Sequence, residues 1–214
     1  MTNWHLLPGL GATAAMYNSL KRKIAFPVNF IDWPSYQGEK SYSDVARRVI
    51  EDYGIVDGDV IGGSSLGGMV SLEMAKVMTP RAVVLLGSAM HSAEVQRLLR
   101  LISPLAEITP IKFLQIAAGK FSPFLSMAFS HTDIDFIRSM GLFLPHWSGY
   151  SGPTDAVYRL HGRKDHIIPC PAAGSEVIED AGHFLAITHA KETAEFLQKT
   201  RERIEAVATA SPCT

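Results

Sequence analysis

The segment from Asp59 to Ala75 constrains this chain most. An apolar run, Asp59-Val60-Ile61, enters Gly62-Gly63-Ser64-Ser65-Leu66-Gly67 and continues into the helix-like stretch Gly68-Met69-Val70-Ser71-Leu72-Glu73-Met74-Ala75. A strand that turns straight into a helix holds its turn residue in a strained backbone conformation, and the neighbours must be small for strand and helix to approach. The register selects one serine. Ser65 has Gly63 two before it and Gly67 two after, whereas Ser64 has Gly62 and Leu66. A small-x-Ser-x-small turn between strand and helix is the nucleophile elbow. The competing reading of a glycine-rich turn is a phosphate cradle. That reading asks for Gly-x-Gly-x-x-Gly or a Gly-Lys-Ser/Thr ending, and the segment has neither.

A serine hydroxyl attacks a carbonyl only when a histidine accepts its proton, and that imidazole needs a carboxylate to fix its tautomer and stabilise its cation. The chain offers both downstream, in the order serine, acid, histidine. Asp165 lies in His161-Gly162-Arg163-Lys164-Asp165, after the strand-like Ala156-Val157-Tyr158-Arg159-Leu160. Its rivals are Asp155, which precedes that strand, and Glu179 and Asp180, which sit too close to the histidine along the chain to approach its ring from behind. As the bland alternative, Asp165 is a turn aspartate capping the segment after it. His183 follows Ile178-Glu179-Asp180-Ala181-Gly182 in a loop. Of the other seven histidines, His5 and His161 belong to strands, His166 and His189 flank the motifs, and His91, His131 and His146 fall in the stretch between the fourth and fifth strands. No pair has His-x-x-x-His or His-Glu-x-x-His spacing, so no metal site is expected.

Strand and helix patterns alternate along the chain, which implies a parallel sheet with crossover helices. The expected strands are Trp4 to Leu7, Val28 to Asp32, Asp59 to Gly63, Ala82 to Leu86, Ala156 to Leu160 and Ser175 to Ile178. Ser43 is expected to cap a helix over Asp44 to Tyr53 that Gly54 stops, and a charged helix is expected from about Ala190 to Val207, followed by a frayed tail. A length of 214 residues, 47% of them hydrophobic, suits one core, so one domain over 1–214 is expected. A formal net charge of −1 offers no field for nucleic acid. The uncharged runs are too short or too broken by Gly and Pro to span a bilayer. With no secretory start, the expected location is the cytoplasm. Cys170 and Cys213 are expected to be free thiols.

These motifs resemble the α/β-hydrolase fold superfamily over most of the chain. Trp4-His5-Leu6-Leu7-Pro8-Gly9-Leu10-Gly11 is similar to that family's strand and oxyanion loop, with Pro8 where a histidine often sits. The resemblance implies an α/β fold: a mostly parallel sheet of about six strands, helices on both faces, a small helical lid, and no counterpart of the two leading strands of larger members. It places the backbone N–H groups of Leu10 and Leu66 in an oxyanion hole. It also implies a lid insertion within 91–150, where Pro104, Pro110 and Pro123 divide short apolar pieces, with Thr132 to Leu144 as the crossover helix into the next strand.

The chemistry expected is acyl transfer in two steps, with Ser65 as nucleophile, His183 as general base and Asp165 as its carboxylate, and without a cofactor. A carboxylic ester of a small or medium, apolar substrate is the first expectation, because Leu10, Tyr17, Leu66, Met69 and His91, with Leu98, Phe121, Phe124, Met127 and Phe143 of the insertion, are candidates to line the pocket. Each of these could instead pack the core. A thioesterase or acyl-carrier-protein methyl ester hydrolase is the alternative, for which Arg97, Arg100 and Lys112 would supply a basic rim. A binding module that keeps the fold without turnover is a third reading, which the intact serine, acid and histidine oppose.

Overall fold

The computed structural model describes residues 2–95 and 133–210. Six strands form one parallel sheet in the order β2-β1-β3-β4-β5-β6, with β1 at Trp4–Leu7, β2 at Asn29–Phe30, β3 at Val60–Ser64, β4 at Ala82–Leu86, β5 at Val157–Gly162 and β6 at Glu176–Ile178. All six expected strands are present, each within one or two residues of its expected ends. The second is reduced to Asn29–Phe30 with only Ile31 N–H reaching on to Leu6 O at 3.1 Å. It is an edge strand with a single neighbour, β1, so less of it is tied into the ladder.

Side chains alternate across the sheet with period two, so successive residues of one strand feed opposite cores. Val83 and Leu85 of β4 join Ile61, Met69, Val45, Val49 and Phe136 on one face. Ala82, Val84 and Leu86 join Trp4, Leu6, Tyr17, Leu20, Phe196 and Leu197 on the other. The first face is covered by α2 (Tyr42–Tyr53), α3 (Leu66–Met74) and the helix Ile134–Phe143; the second by α1 (Asn18–Lys21), Leu185–Thr188 and the C-terminal helix Ala190–Ala210.

The helix ends correct three expectations. Ser41, in extended conformation, caps α2: its Oγ accepts from Asp44 N–H at 3.1 Å. Ser43 lies inside the first turn, where helical backbone angles prevent it from serving as the cap. Gly54 does stop α2, with a left-handed φ of 59°. Helix α3 starts at Leu66 rather than Gly68, because Ser65 itself is its N-cap residue. The C-terminal helix continues through Ala210, past the expected Val207.

Between β4 and β5 the chain leaves the sheet. Residues 96–132, which hold most of the expected lid and with it Arg97, Leu98, Arg100, Lys112, Phe121, Phe124, Met127 and His131, lie outside the described residues. The expected crossover helix is Ile134–Phe143, whose N-cap Asp133 accepts from Asp135 and Phe136 N–H groups. The two shoulders of the insertion are tied together where His91 bridges Gly149 and Tyr150 N–H donates to Met90 O at 2.9 Å.

Candidate active site

Ser65, Asp165 and His183 follow the C-terminal ends of β3, β5 and β6, where a parallel sheet gathers its loops. Ser65 has φ 52° and ψ −119°, and among the described residues it is the single non-glycine with positive φ. The elbow around it is bought with glycines. A Cβ on Gly63 or Gly67 would collide with the carbonyl oxygen of Leu7, and one on Gly67 with that of Pro8 also, so β1, β3 and α3 meet backbone to backbone. Ser65 N–H donates to Leu86 O at 3.1 Å, and Ser65 O accepts from Gly68 N–H at 3.1 Å and from Ser88 Oγ at 2.7 Å.

His183 Nε2 stands 2.9 Å from Ser65 Oγ, and its Nδ1 stands 2.8 Å from Asp165 Oδ2. With Nδ1–H donating to the carboxylate, the Nε2 lone pair is left to accept from the serine hydroxyl. The Asp165 carboxylate is buried and fully engaged. Oδ1 accepts from the N–H groups of Ile167 and Ile168, each at 2.9 Å, while Oδ2 faces His183 and, at 3.3 Å, His161 Nε2. Burial alone pushes this carboxyl up. The charge of His183 and hydrogen bonds from His161, His183 and Ile168 N–H outweigh it and hold the group well below the ordinary carboxylate range.

The acid and histidine loops are laced to each other. Arg163 N–H donates to Ile178 O at 3.0 Å and Lys164 N–H to Ala181 O at 2.9 Å, and a Cβ on Gly162 would collide with the carbonyls of Ala181 and Gly182. The rival acids point elsewhere: Glu179 pairs with Arg163 and Asp180 with His189, both at the surface, and Asp155 is exposed.

The loop after β1 lies against the elbow, since a Cβ on Gly9 would come 3.6 Å from Ser65 Cβ. Leu10 therefore follows a residue in contact with the serine, and Leu66 occupies the first turn of α3, where a helix leaves its N–H groups without intrahelical acceptors. The remaining candidates are placed differently. Tyr17 is fully buried, and its hydroxyl donates to Leu7 O at 2.6 Å and accepts from Ser64 N–H at 3.0 Å. It braces the strand before the elbow and does not open on a pocket. Burial pushes its phenol up, which keeps that hydroxyl protonated as a donor. Met69 is a core residue of the α2/α3 face, and His91 is exposed at the shoulder of the insertion. Phe143 packs its ring edge against Tyr42.

The sequence model of the Alpha/beta hydrolase family matches residues 6–196, most of the chain. The chain belongs to this family. No curated protein matches the sequence. Solved structures of α/β hydrolases share its fold at low identity. A hydrolase from Oleispira antarctica, olei00960, superposes with TM-score 0.73 at 16% identity, covering 94% of this chain and 91% of that one. A thermophilic esterase from Thermogutta terrifontis gives 0.67 at 14%, covering 95% and 90%. The N-acyl homoserine lactonase AidH gives 0.70 at 16%, covering 100% and 92%. At these identities the likeness speaks for the α/β-hydrolase fold.

His161 and Trp33 were not legible in the sequence as parts of the site, and the sequence left open whether Ser88 makes a hydrogen bond there. His161, fully buried at the end of β5, donates from Nε2 to Ile168 O at 2.7 Å, which leaves its Nδ1 as a buried nitrogen without a partner. That bond closes the turn bearing Asp165. Ser88 holds the carbonyl of Ser65, and Trp33 reaches the loop after β1 with Nε1 donating to Gly9 O at 3.0 Å. A histidine inside an apolar strand four residues before the acid was the available signal for His161. Trp33 had the weaker signal of following Asp32 just beyond the end of an expected strand.

Proposed function

We propose that this α/β-hydrolase cleaves carboxylic esters through an acyl-enzyme on Ser65. The observation that carries the reading is the unbroken relay from Ser65 Oγ through His183 to a buried, ionised Asp165, at 2.9 and 2.8 Å. Ser65 Oγ forms a bond to the ester carbonyl carbon while its proton passes to His183 Nε2. The carbonyl oxygen becomes an oxyanion held by the N–H groups of Leu10 and Leu66, each donor of this kind contributing roughly 10²–10³ in rate. Collapse breaks the carbon–oxygen bond of the ester, and His183 returns the proton to the departing alcohol. Water then adds to the acyl-enzyme, giving its proton to His183, and the acid leaves as the serine hydroxyl is restored. Asp165 stays ionised throughout and stabilises the imidazolium that forms twice in each cycle.

Esterase and lactonase activities belong to structural neighbours and agree with ester hydrolysis as the reaction class. The test is turnover of a series of p-nitrophenyl esters and acyl thioesters of increasing chain length by the wild type, Ser65→Ala and His183→Ala proteins. The reading expects ester hydrolysis that both substitutions abolish and that exceeds thioester hydrolysis at matched acyl groups. Ester turnover that survives Ser65→Ala would remove the serine from the mechanism.

A further inference from the structure

The proposed oxyanion donor at Leu10 belongs to the peptide unit Gly9–Leu10, and the structure fixes that unit from its other side. The carbonyl oxygen of Gly9 accepts two hydrogen bonds, from Trp33 Nε1–H at 3.0 Å and from Ala12 N–H at 3.1 Å. A trans peptide is planar, with C=O and N–H pointing in opposite directions, and among the described residues every peptide bond is trans. Holding the Gly9 oxygen therefore aims the Leu10 N–H. A rotation of this unit by half a turn would replace the donor beside Ser65 with a carbonyl oxygen, which repels an oxyanion. Glycine at position 9 makes that rotation sterically cheap. The preceding unit is held as well, with Gly9 N–H directed at Met16 Sδ at 3.4 Å.

Trp33 is suited to the task by its own packing. It is half-buried, and its ring lies against Phe136 with centroids 5.2 Å apart, so the indole is braced by the helix Ile134–Phe143 at the far shoulder of the insertion. Ala12 sits on the same short loop as the carbonyl it holds and can move with it. Trp33 comes from the segment after β2, 24 residues away, and ties the loop to the body of the fold.

We infer that Trp33 is a positioning residue for the oxyanion hole, its indole N–H keeping the Gly9–Leu10 peptide unit in the orientation that presents the Leu10 N–H to the reacting carbonyl. The inference rests on the serine acyl-transfer reading. Trp33 touches no substrate in this account; it acts through the peptide.

The test compares wild type with Trp33→Phe, which keeps an aromatic ring against Phe136 and removes the N–H, and with Trp33 replaced by benzothienylalanine, which keeps the shape of the indole and lacks the N–H. The second variant guards against a fold defect in the first. Three quantities are read on the folded proteins: kcat and KM for a p-nitrophenyl ester, the inhibition constant of a trifluoromethyl ketone whose hemiketal oxygen occupies the oxyanion hole, and that of the matching secondary alcohol, which forms no hemiketal. Losing a donor outright costs about 10²–10³, and losing one of two clamps on the donor is expected to cost roughly tenfold. The expected result is kcat down roughly tenfold in both variants with KM within about twofold, ketone affinity weakened by the same factor, and alcohol affinity unchanged. Unchanged kcat and ketone affinity in the benzothienylalanine protein would overturn the inference. So would a rise in KM at constant kcat, which would make Trp33 a ground-state contact. A wild type that neither turns over esters nor forms the hemiketal would instead remove the acyl-transfer reading, and this inference with it.

Discussion

Ser88 Oγ donates a 2.7 Å hydrogen bond to the carbonyl oxygen of Ser65, the one described non-glycine residue with positive φ. Ser88 follows β4 and is buried. It reaches across to the strained turn from a neighbouring strand, so the elbow is held from outside its own sequence as well as by α3. Ser65 O also accepts from Gly68 N–H, which limits what removal of Ser88 can cost. Ser88→Ala is expected to lower stability by about 1 kcal/mol, the usual worth of one such bond. In a protein of this length that is a fall of about 2–4 °C in Tm, measured by thermal unfolding.

The backbone of the elbow gives a prediction that separates strain from chemistry. At φ 52° and ψ −119° a glycine is relaxed and an alanine is not. Ser65→Gly and Ser65→Ala should both be inactive, yet the glycine variant should be the more stable of the two by about 1 kcal/mol, read as a higher denaturant midpoint. Equal stabilities would mean that the turn relaxes when the hydroxyl is lost.

Two glycines should respond oppositely to alanine. A Cβ on Gly67 would meet the carbonyls of Leu7 and Pro8, neither of which can yield without moving β1. Gly67→Ala is expected to destabilise by at least about 1–3 kcal/mol. Gly141 lies within the helix Ile134–Phe143 with nothing inside 4 Å of its would-be Cβ, so Gly141→Ala should stabilise by about 0.5–1 kcal/mol. Chemical denaturation of the pair checks both signs in one experiment.

Asp165 links the site to pH. Its folded-state pKa lies below the ordinary carboxylate value of about 3.9 because His183, His161 and Ile168 N–H together overcome its burial. A depressed carboxylate contributes stability that is present above the unfolded-state pKa and is lost as pH falls through the lower folded value. The stability difference between wild type and Asp165→Asn should therefore shrink as pH falls below about 4. At neutral pH, Asp165→Asn should lower kcat roughly 10³- to 10⁴-fold, whereas Asp155→Asn, on an exposed side chain, should leave it unchanged. Activity lost with Asp155 and kept without Asp165 would reverse the assignment of the acid.

The sheet, the elbow and the order of the three side chains could be read in advance because each rests on a local pattern: apolar runs of strand length, glycines two residues either side of Ser65, and loops placed just after strands. What could not be read depends on distance in space. Ser41 and Ser43 are chemically equal candidates for capping α2, and only the extended backbone at Ser41 decides between them. Tyr17 was a candidate to line the pocket or to pack the core, and its side chain turns inward to Leu7 and Ser64. The bonds from Trp33 to Gly9, Ser88 to Ser65 and His161 to Ile168 join segments whose approach is set by the sheet order. Tryptophan, serine and histidine have too many ordinary roles for such bonds to be inferred from their letters.

The central claim is that Ser65 is an activated nucleophile. The most direct measurement is labelling of the folded protein with a fluorophosphonate probe, followed by peptide mapping of the modified residue, with Ser65→Ala and His183→Ala alongside. One covalent adduct is expected, on Ser65, lost in Ser65→Ala and strongly slowed in His183→Ala. A folded wild-type protein that remains unlabelled, or an adduct on another residue that persists in Ser65→Ala, would contradict it.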